Sequence, residues 1–265
     1  MRTFSKTCFR LLVLAAVLVV LSSCNLSSPQ PTPTYQPIST ETPFPTSPPT
    51  PTSTAGLSLT STPRPMQTPT PLPGWVTGFT QPILAAIADR TPSFQDDFGP
   101  GSAGWQSEDW CGRRMQYLQG ELVVTDCRVT RPNINYTDFV VEFDGRFLPG
   151  AAAGSHWIFH FRVIGGPNHS ITVQYNGDVD LSFQTADDAF TRLSYPKAAK
   201  PGDQANHFLV IGKGSQFAVY LNGQSLSYAE SDYCKYGDFK FLADDTLFGL
   251  DNFKVWNIAD ISMRR

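Results

Sequence analysis

From about residue 93 onward, apolar and polar side chains alternate along the chain. Over residues 138–147, Phe139, Val141, Phe143 and Phe147 share one face, and Asp138, Glu142, Asp144 and Arg146 share the other. Residues 155–163 repeat the pattern, with Trp157, Phe159, Phe161 and Val163 inward and His156, His160 and Arg162 outward. A period of two is the mark of a half-buried strand, because successive Cβ atoms point to opposite faces. Ile171, Val173 and Tyr175 lead into Asn176-Gly177, and Val179, Leu181 and Phe183 follow. Asn222-Gly223 likewise joins residues 217–221 to Leu226 and Tyr228. Asn-Gly suits the two-residue hairpin turn, in which both central residues need positive φ. Phe239-Lys240-Phe241 and residues 248–256 supply closing strands. About ten to twelve short strands at this spacing predict an all-β sandwich over residues 93–258, long enough to bury a single core.

The preceding residues follow other patterns. Ile83, Leu84 and Ile87 fit one face of a helix over residues 81–90, with Thr80 as its cap and Pro92 as its stop. Residues 75–92 are therefore read as a short helical lead-in lying on the edge of the domain. Residues 25–74 are mostly Pro, Thr and Ser, as in Pro29-Gln30-Pro31-Thr32-Pro33-Thr34. Such a stretch buries too little apolar surface to offset its ordering entropy, so it reads as a disordered, extended stalk, with a composition like that of O-glycosylated stalks. Before it, Arg2, Lys6 and Arg10 precede an uncharged apolar run over residues 11–21 and then Leu21-Ser22-Ser23-Cys24. That order is a secretory signal. The cysteine after the small residues resembles the lipobox of bacterial lipoproteins. The resemblance implies a signal peptide at residues 1–23, a lipid-modified Cys24 opening the 24–74 segment, and an extracytoplasmic protein held to a membrane by acyl chains. Residues 259–265 form a C-terminal tail.

Charge and cysteines narrow the function. The formal net charge is −3, and losing Arg2, Lys6 and Arg10 with the signal takes −3 to −6. Phosphate binding needs clustered Lys and Arg, so nucleic acid is excluded as an expected partner. Of the five cysteines, Cys8 leaves with the signal and Cys24 takes the lipid. Cys111, Cys127 and Cys234 face an oxidising compartment, where three thiols make one disulfide with one left over. Cys111 and Cys127 flank a hairpin and are the favoured pair, while Cys234 sits in a loop and competes. With no Cys-x-x-Cys, zinc and dithiol chemistry have no sequence support.

Several blocks carry a family likeness: Phe94-Gln95-Asp96-Asp97-Phe98, Gly104-Trp105, His207-Phe208-Leu209-Val210-Ile211, residues 213–223, and Phe248-Gly249-Leu250-Asp251-Asn252-Phe253-Lys254-Val255-Trp256. Together they resemble the concanavalin A-like lectin/glucanase superfamily, in particular laminin-G-like and 3-keto-disaccharide hydrolase-like domains. The resemblance implies a jelly-roll sandwich of two antiparallel sheets, often with glycan binding on the concave sheet or its rim. Retaining glucanases of that superfamily carry Glu-x-Asp-x-x-Glu on one strand, two carboxylates about 5–5.5 Å apart doing the chemistry. Here the stretch is Glu142-Phe143-Asp144-Gly145-Arg146-Phe147, and Phe147 stands where the second glutamate belongs. Catalysis is therefore not expected of this strand.

Binding is the stronger expectation. If their two strands belong to one sheet, Glu142, Asp144, Arg146, His156, His160 and Arg162 share a polar surface suited to sugar hydroxyls, with Trp105, Trp110 or Tyr220 as the aromatic platform and Trp110 the one favoured as exposed. His156 and His160 cannot share a metal, being about 13 Å apart at about 3.3 Å per residue. Trp105 is read as core beneath a loop that the disulfide pins. The resemblance also places the first and last strands side by side, so Asp96, Asp97, Asp251 and Asn252 become candidate ligands for a structural calcium, which takes about six to eight oxygens. The expected function is carbohydrate binding without catalysis by a surface lipoprotein. A glycoside-cleaving enzyme and a protein-binding adhesion or sensory module are the alternatives.

Overall fold

The computed structural model describes residues 72–108, 111, 114–131, 133–165, 168–186 and 189–262. The expected signal segment, Cys24, the Pro/Thr-rich stalk and Trp110 lie outside the described residues. A π-helical turn, Val76–Thr80, runs directly into α1 (Gln81–Ile87). Thirteen strands follow among the described residues: β1 (Phe94–Asp96), β2 (Gln106–Ser107), β3 (Met115–Leu118), β4 (Glu121–Arg131), β5 (Phe139–Phe147), β6 (His156–Val163), β7 (His169–Gln174), β8 (Val179–Ala186), β9 (Ala189–Tyr195), β10 (Asn206–Lys213), β11 (Gln216–Leu221), β12 (Gln224–Glu230) and β13 (Asp238–Asn257).

All pairings are antiparallel, and β13 organises them. Its first part, residues 238–244, pairs with β6, and its last part, residues 248–257, pairs with β5. Along its other edge run β4 and then β1. The register shifts between Ala243 and Leu247, so the strand turns from one layer into the other. One layer is therefore β12-β11-β10-β5 with the end of β13; the other is β9-β8-β7-β6 with its beginning. The two closing strands predicted from the sequence are one continuous strand of 20 residues.

The inward faces meet through aromatic rings. Phe143 of β5 lies 4.8 Å from Phe159 of β6 between ring centroids, Trp157 lies 5.3 Å from Phe208 of β10, and Phe183 of β8 lies 5.7 Å from Phe217 of β11. Each such ring stabilises by about 1.5–3 kcal/mol when fully buried. Gly145 sits among them. A Cβ there would approach Phe248 to 3.0 Å and Trp157 to 3.1 Å, so this inward position of β5 has no room for a side chain. Trp105 is buried in the same core, and Cys111 and Cys127 form the expected disulfide. Cys234 takes no part in that disulfide.

A second apolar cluster lies on the outside of the first layer. Phe79, Ile83 and Ile87 pack onto Val140, Ile211, Ala218 and Trp256, which face away from the main core. The alternation of β5, β10 and β13 is apolar on both faces here, and the helix buries the outer one. Trp256 Nε1 donates to the carbonyl of Arg90 (3.0 Å), and Arg90 pairs with Asp260 (2.9 Å), closing the chain over that patch. Thr80 does not cap α1. The chain is already helical before it, and its Oγ1 donates back to the carbonyl of Val76 (3.0 Å).

Candidate functional site

Along the outer face of β5 the residues run Val140, Glu142, Asp144, Arg146. The helix covers the Val140 end and leaves the other three open. Neighbouring strands set a partner opposite each. His207 of β10 lies across from Asp144, and Nδ1 sits 2.8 Å from Oδ1. On the other side, Lys254 of β13 lies across from Glu142, with Nζ 3.5 Å from Oε1. His207 Nε2 is 3.8 Å from the same Glu142 oxygen. Arg146 makes a two-pronged pair with Glu121 of β4, at 2.6 and 2.8 Å. This pair raises the guanidinium pKa, mainly through the hydrogen bonds to Glu121.

A bulge in β13 completes the surface. The register against β5 shifts between Asp251 and Lys254, and Asn252 takes a φ of 52°. Bulges re-aim side chains in this way. Leu250 and Phe253 both face the core, while Asn252 turns outward and donates its Nδ2 to Asp144 Oδ2 (2.8 Å). Burial, reinforced by the nearby carboxylates of Glu121, Asp144 and Asp97, holds the Asp251 carboxyl above the usual range. Beside this ladder opens a cavity of about 460 Å³, lined by Phe94, Gln95, Asp97, Ser102, Asn252 and Lys254, among others. Three strands thus present donors and acceptors, charged but mutually paired, and Asn252 and Lys254 of this set also line the hollow together with the half-buried Phe94.

The predicted polar surface is divided. β5 and β6 follow one another along one edge of β13 but belong to opposite layers, and their inward rings touch. Glu142, Asp144 and Arg146 therefore face one side of the sandwich, and His156 and His160 the other. His156 pairs with Asp244 (3.3 Å). Arg162 is not on a surface at all. It is fully buried, donates to the carbonyls of Gly214 (2.8 Å) and Thr137, and lies 4.6 Å from the Phe217 ring. Its φ of 53° and the register shift opposite, between Asp238 and Lys240, break the alternation that pointed it outward. Of the three expected platforms, Trp110 lies outside the described residues, Trp105 is buried in the core, and Tyr220 packs against Trp75 of the lead-in.

The first and last strands do lie side by side, with Asp96 opposite Phe253. Of the four expected calcium ligands, Asp96, Asp97 and Asn252 line one cavity, and these three side chains already have partners within the protein. Asp96 accepts from Phe98 N (2.9 Å), Ser102 Oγ (2.6 Å) and Trp105 Nε1 (3.1 Å), so its carboxylate organises the loop after β1. Asp97 accepts from Gly99 N (3.2 Å), and Asn252 is engaged with Asp144. Among the described residues, the acidic side chains that do converge within 4.8 Å are Asp126, Asp244 and Asp245, at the bend of β13.

His207, Lys254 and Glu121 were not singled out from the sequence. The available signal was parity: His207 shares its face with Leu209 and Ile211, as Asp144 shares its face with Val140. Only the strand order, which places β10 and β13 on either side of β5, joins them.

No protein-family profile and no curated protein matches the chain. Solved structures do resemble it. A β-glucanase of Bacillus licheniformis is 12% identical over 64% of this chain and 99% of its own, with a TM-score of 0.50. The carbohydrate-binding module CBM66 of Bacillus subtilis is 16% identical over 59% of this chain and 97% of its own (TM-score 0.49). The laminarinase catalytic domain of Thermotoga maritima is 12% identical over 62% and 97%, respectively (TM-score 0.48). Two antiparallel layers joined through β13, an aromatic interior and the likeness to the β-glucanase identify the fold as a jelly-roll β-sandwich.

Proposed function

We propose that the folded domain binds carbohydrate without cleaving it, on the open face formed by Glu142, Asp144, His207, Asn252 and Lys254 beside the Phe94 cavity. One observation carries the reading: these side chains are held in place by one another across three strands. A preorganised set of donors and acceptors loses little entropy on meeting a polyhydroxylated ligand. Carboxylates outnumber cations here, so a neutral sugar is favoured over an acidic one. Cys24 is proposed as the lipid attachment point and residues 25–74 as the tether, which would display the domain outside the cell. A glycan array probed with the full-length chain tests the binding. Neutral polysaccharides should give signal that Asp144→Ala and His207→Ala reduce, and an array without neutral hits contradicts the reading. Metabolic labelling with a radioactive fatty acid tests the anchor. Wild type should be labelled and Cys24→Ser should not.

The His207–Asp144 pair favours a second reading, a glycoside-cleaving enzyme, because a histidine beside a carboxylate is competent for general acid–base work. Against it, Phe147 is buried where a second catalytic glutamate would stand. The release of reducing ends from an array-positive glycan distinguishes the two readings, since a binding module releases none.

A further inference from the structure

The opposite layer has a hollow of its own. It is about 470 Å³ in volume and is lined by Glu108, Arg128, His160, Asn168 and Lys240, among others. That volume lies within the range of about 300–1,000 Å³ usual for small-molecule sites. Lys240 sits directly across from His160, joining β13 to β6, and Arg128 comes from β4 on the other side of β13. The electrostatics differ from those of the first face. Arg128 is paired with Glu108 at 3.2 Å, whereas Lys240 makes no ion pair among the described residues. His160 is held by Asn168 through Nδ1. Burial, with Arg128 and Lys240 nearby, pushes its pKa down to about 4, so near neutral pH it is an uncharged hydrogen-bonding group. Lys240 therefore leaves one positive charge uncompensated, in a protein whose overall charge is negative. Val163 lines the hollow, and Ile164 follows it with about half its surface exposed (48%); Tyr236, also exposed (53%), lies in the chain two residues before Asp238, which pairs with Val163.

We infer that this hollow is a second, independent saccharide site, one that takes a sugar bearing a carboxylate. Lys240 and Arg128 would receive the carboxylate, Asn168 and His160 the ring hydroxyls, and the exposed Tyr236 ring the apolar face of a neighbouring sugar. A free inorganic anion would use only the cations; a neutral sugar would leave Lys240 without its counter-charge. The two faces of the sandwich would then select glycans of opposite character.

Titration calorimetry on the full-length chain with three probes tests this: trigalacturonate, its fully methyl-esterified form, and inorganic phosphate. Trigalacturonate should bind, with the ester and phosphate at least about tenfold weaker, a difference of about 1.4 kcal/mol. Lys240→Gln should weaken trigalacturonate by about tenfold or more, and Tyr236→Ala should weaken it while leaving phosphate unchanged. Asp144→Ala, on the other face, should leave trigalacturonate binding as in wild type, so this site and the neutral-sugar face fail separately. Absence of trigalacturonate binding, equal binding of the ester or of phosphate, or an unaffected Lys240→Gln variant would each overturn the proposal.

Discussion

At the scale of single residues, His169 shows most plainly how burial sets chemistry. It is fully buried, with Nε2 3.1 Å from the carbonyl of Tyr233 and Nδ1 3.1 Å from the amide nitrogen of Gln184. The amide can only donate, so Nδ1 accepts, Nε2 carries the proton, and the ring is neutral. Burial pushes its pKa down to about 4 from the ordinary 6.5, as it does for His160. Between those limits the unfolded chain binds more protons than the folded one. Both histidines therefore stabilise fully above about pH 6.5, and that stability is lost as pH falls towards 4. At about 1.4 kcal/mol per pH unit, the loss is on the order of a few kcal/mol. Urea midpoints across this range should fall with pH, and an NMR titration placing His169 near 6.5 would contradict the account. Gly145→Ala should cost about 1–3 kcal/mol through the Phe248 and Trp157 rings, measured by thermal unfolding. Which side chains face the core was largely legible from alternation, as for Phe143 and Phe159. Arg162 was not, because one residue with positive φ shifts the parity and nothing in its neighbours announces it.

At the scale of elements, the long strand and the helix differ in how far the sequence revealed them. Asn176-Gly177 and Asn222-Gly223 marked hairpins, and both stand between paired strands. The sequence marked Phe239-Lys240-Phe241 and residues 248–256 as separate closing strands; the stretch from Ala243 to Leu247 between them, with Asp244 and Asp245, is a bend within one strand of 20 residues. β9 shows almost no alternation, since an exposed strand buries neither face clearly. The disulfide spans 16 residues and ties β4 to the loop before β3. Chain-entropy arguments assign such a loop about 3 kcal/mol, so Cys111→Ser with Cys127→Ser should lower the urea midpoint accordingly. The helix holds to the sheet through Ile83, which is fully buried. Ile83→Asp should abolish hydrogen-exchange protection across α1 while β5 and β10 keep theirs. Equal loss in helix and strands would show that the helix is integral to the sandwich.

For the molecule as a whole, composition and periodicity announced a β-sandwich, and the superfamily resemblance gave its kind. They could not show that β5 and β6 belong to different layers, because that follows from where β13 bends. The consequence is functional. The polar residues predicted as one surface are two surfaces, one rich in carboxylates and one with an unmatched lysine. Glu142 and Asp144 were legible both as residues and as neighbours on one strand face, whereas the partners that neighbouring strands bring to them were not. His207 entered only when β10 was placed beside β5.

The most direct test of the central claim is a calorimetric titration of an array-selected neutral glycan into wild-type, Asp144→Ala and Lys240→Gln chains of matching far-ultraviolet spectrum. Loss of a charged hydrogen-bonding group costs about 1.5–3 kcal/mol. Wild type and Lys240→Gln should therefore bind alike, and Asp144→Ala at least about tenfold more weakly. Undiminished binding by Asp144→Ala would place the neutral-sugar site elsewhere and contradict the account.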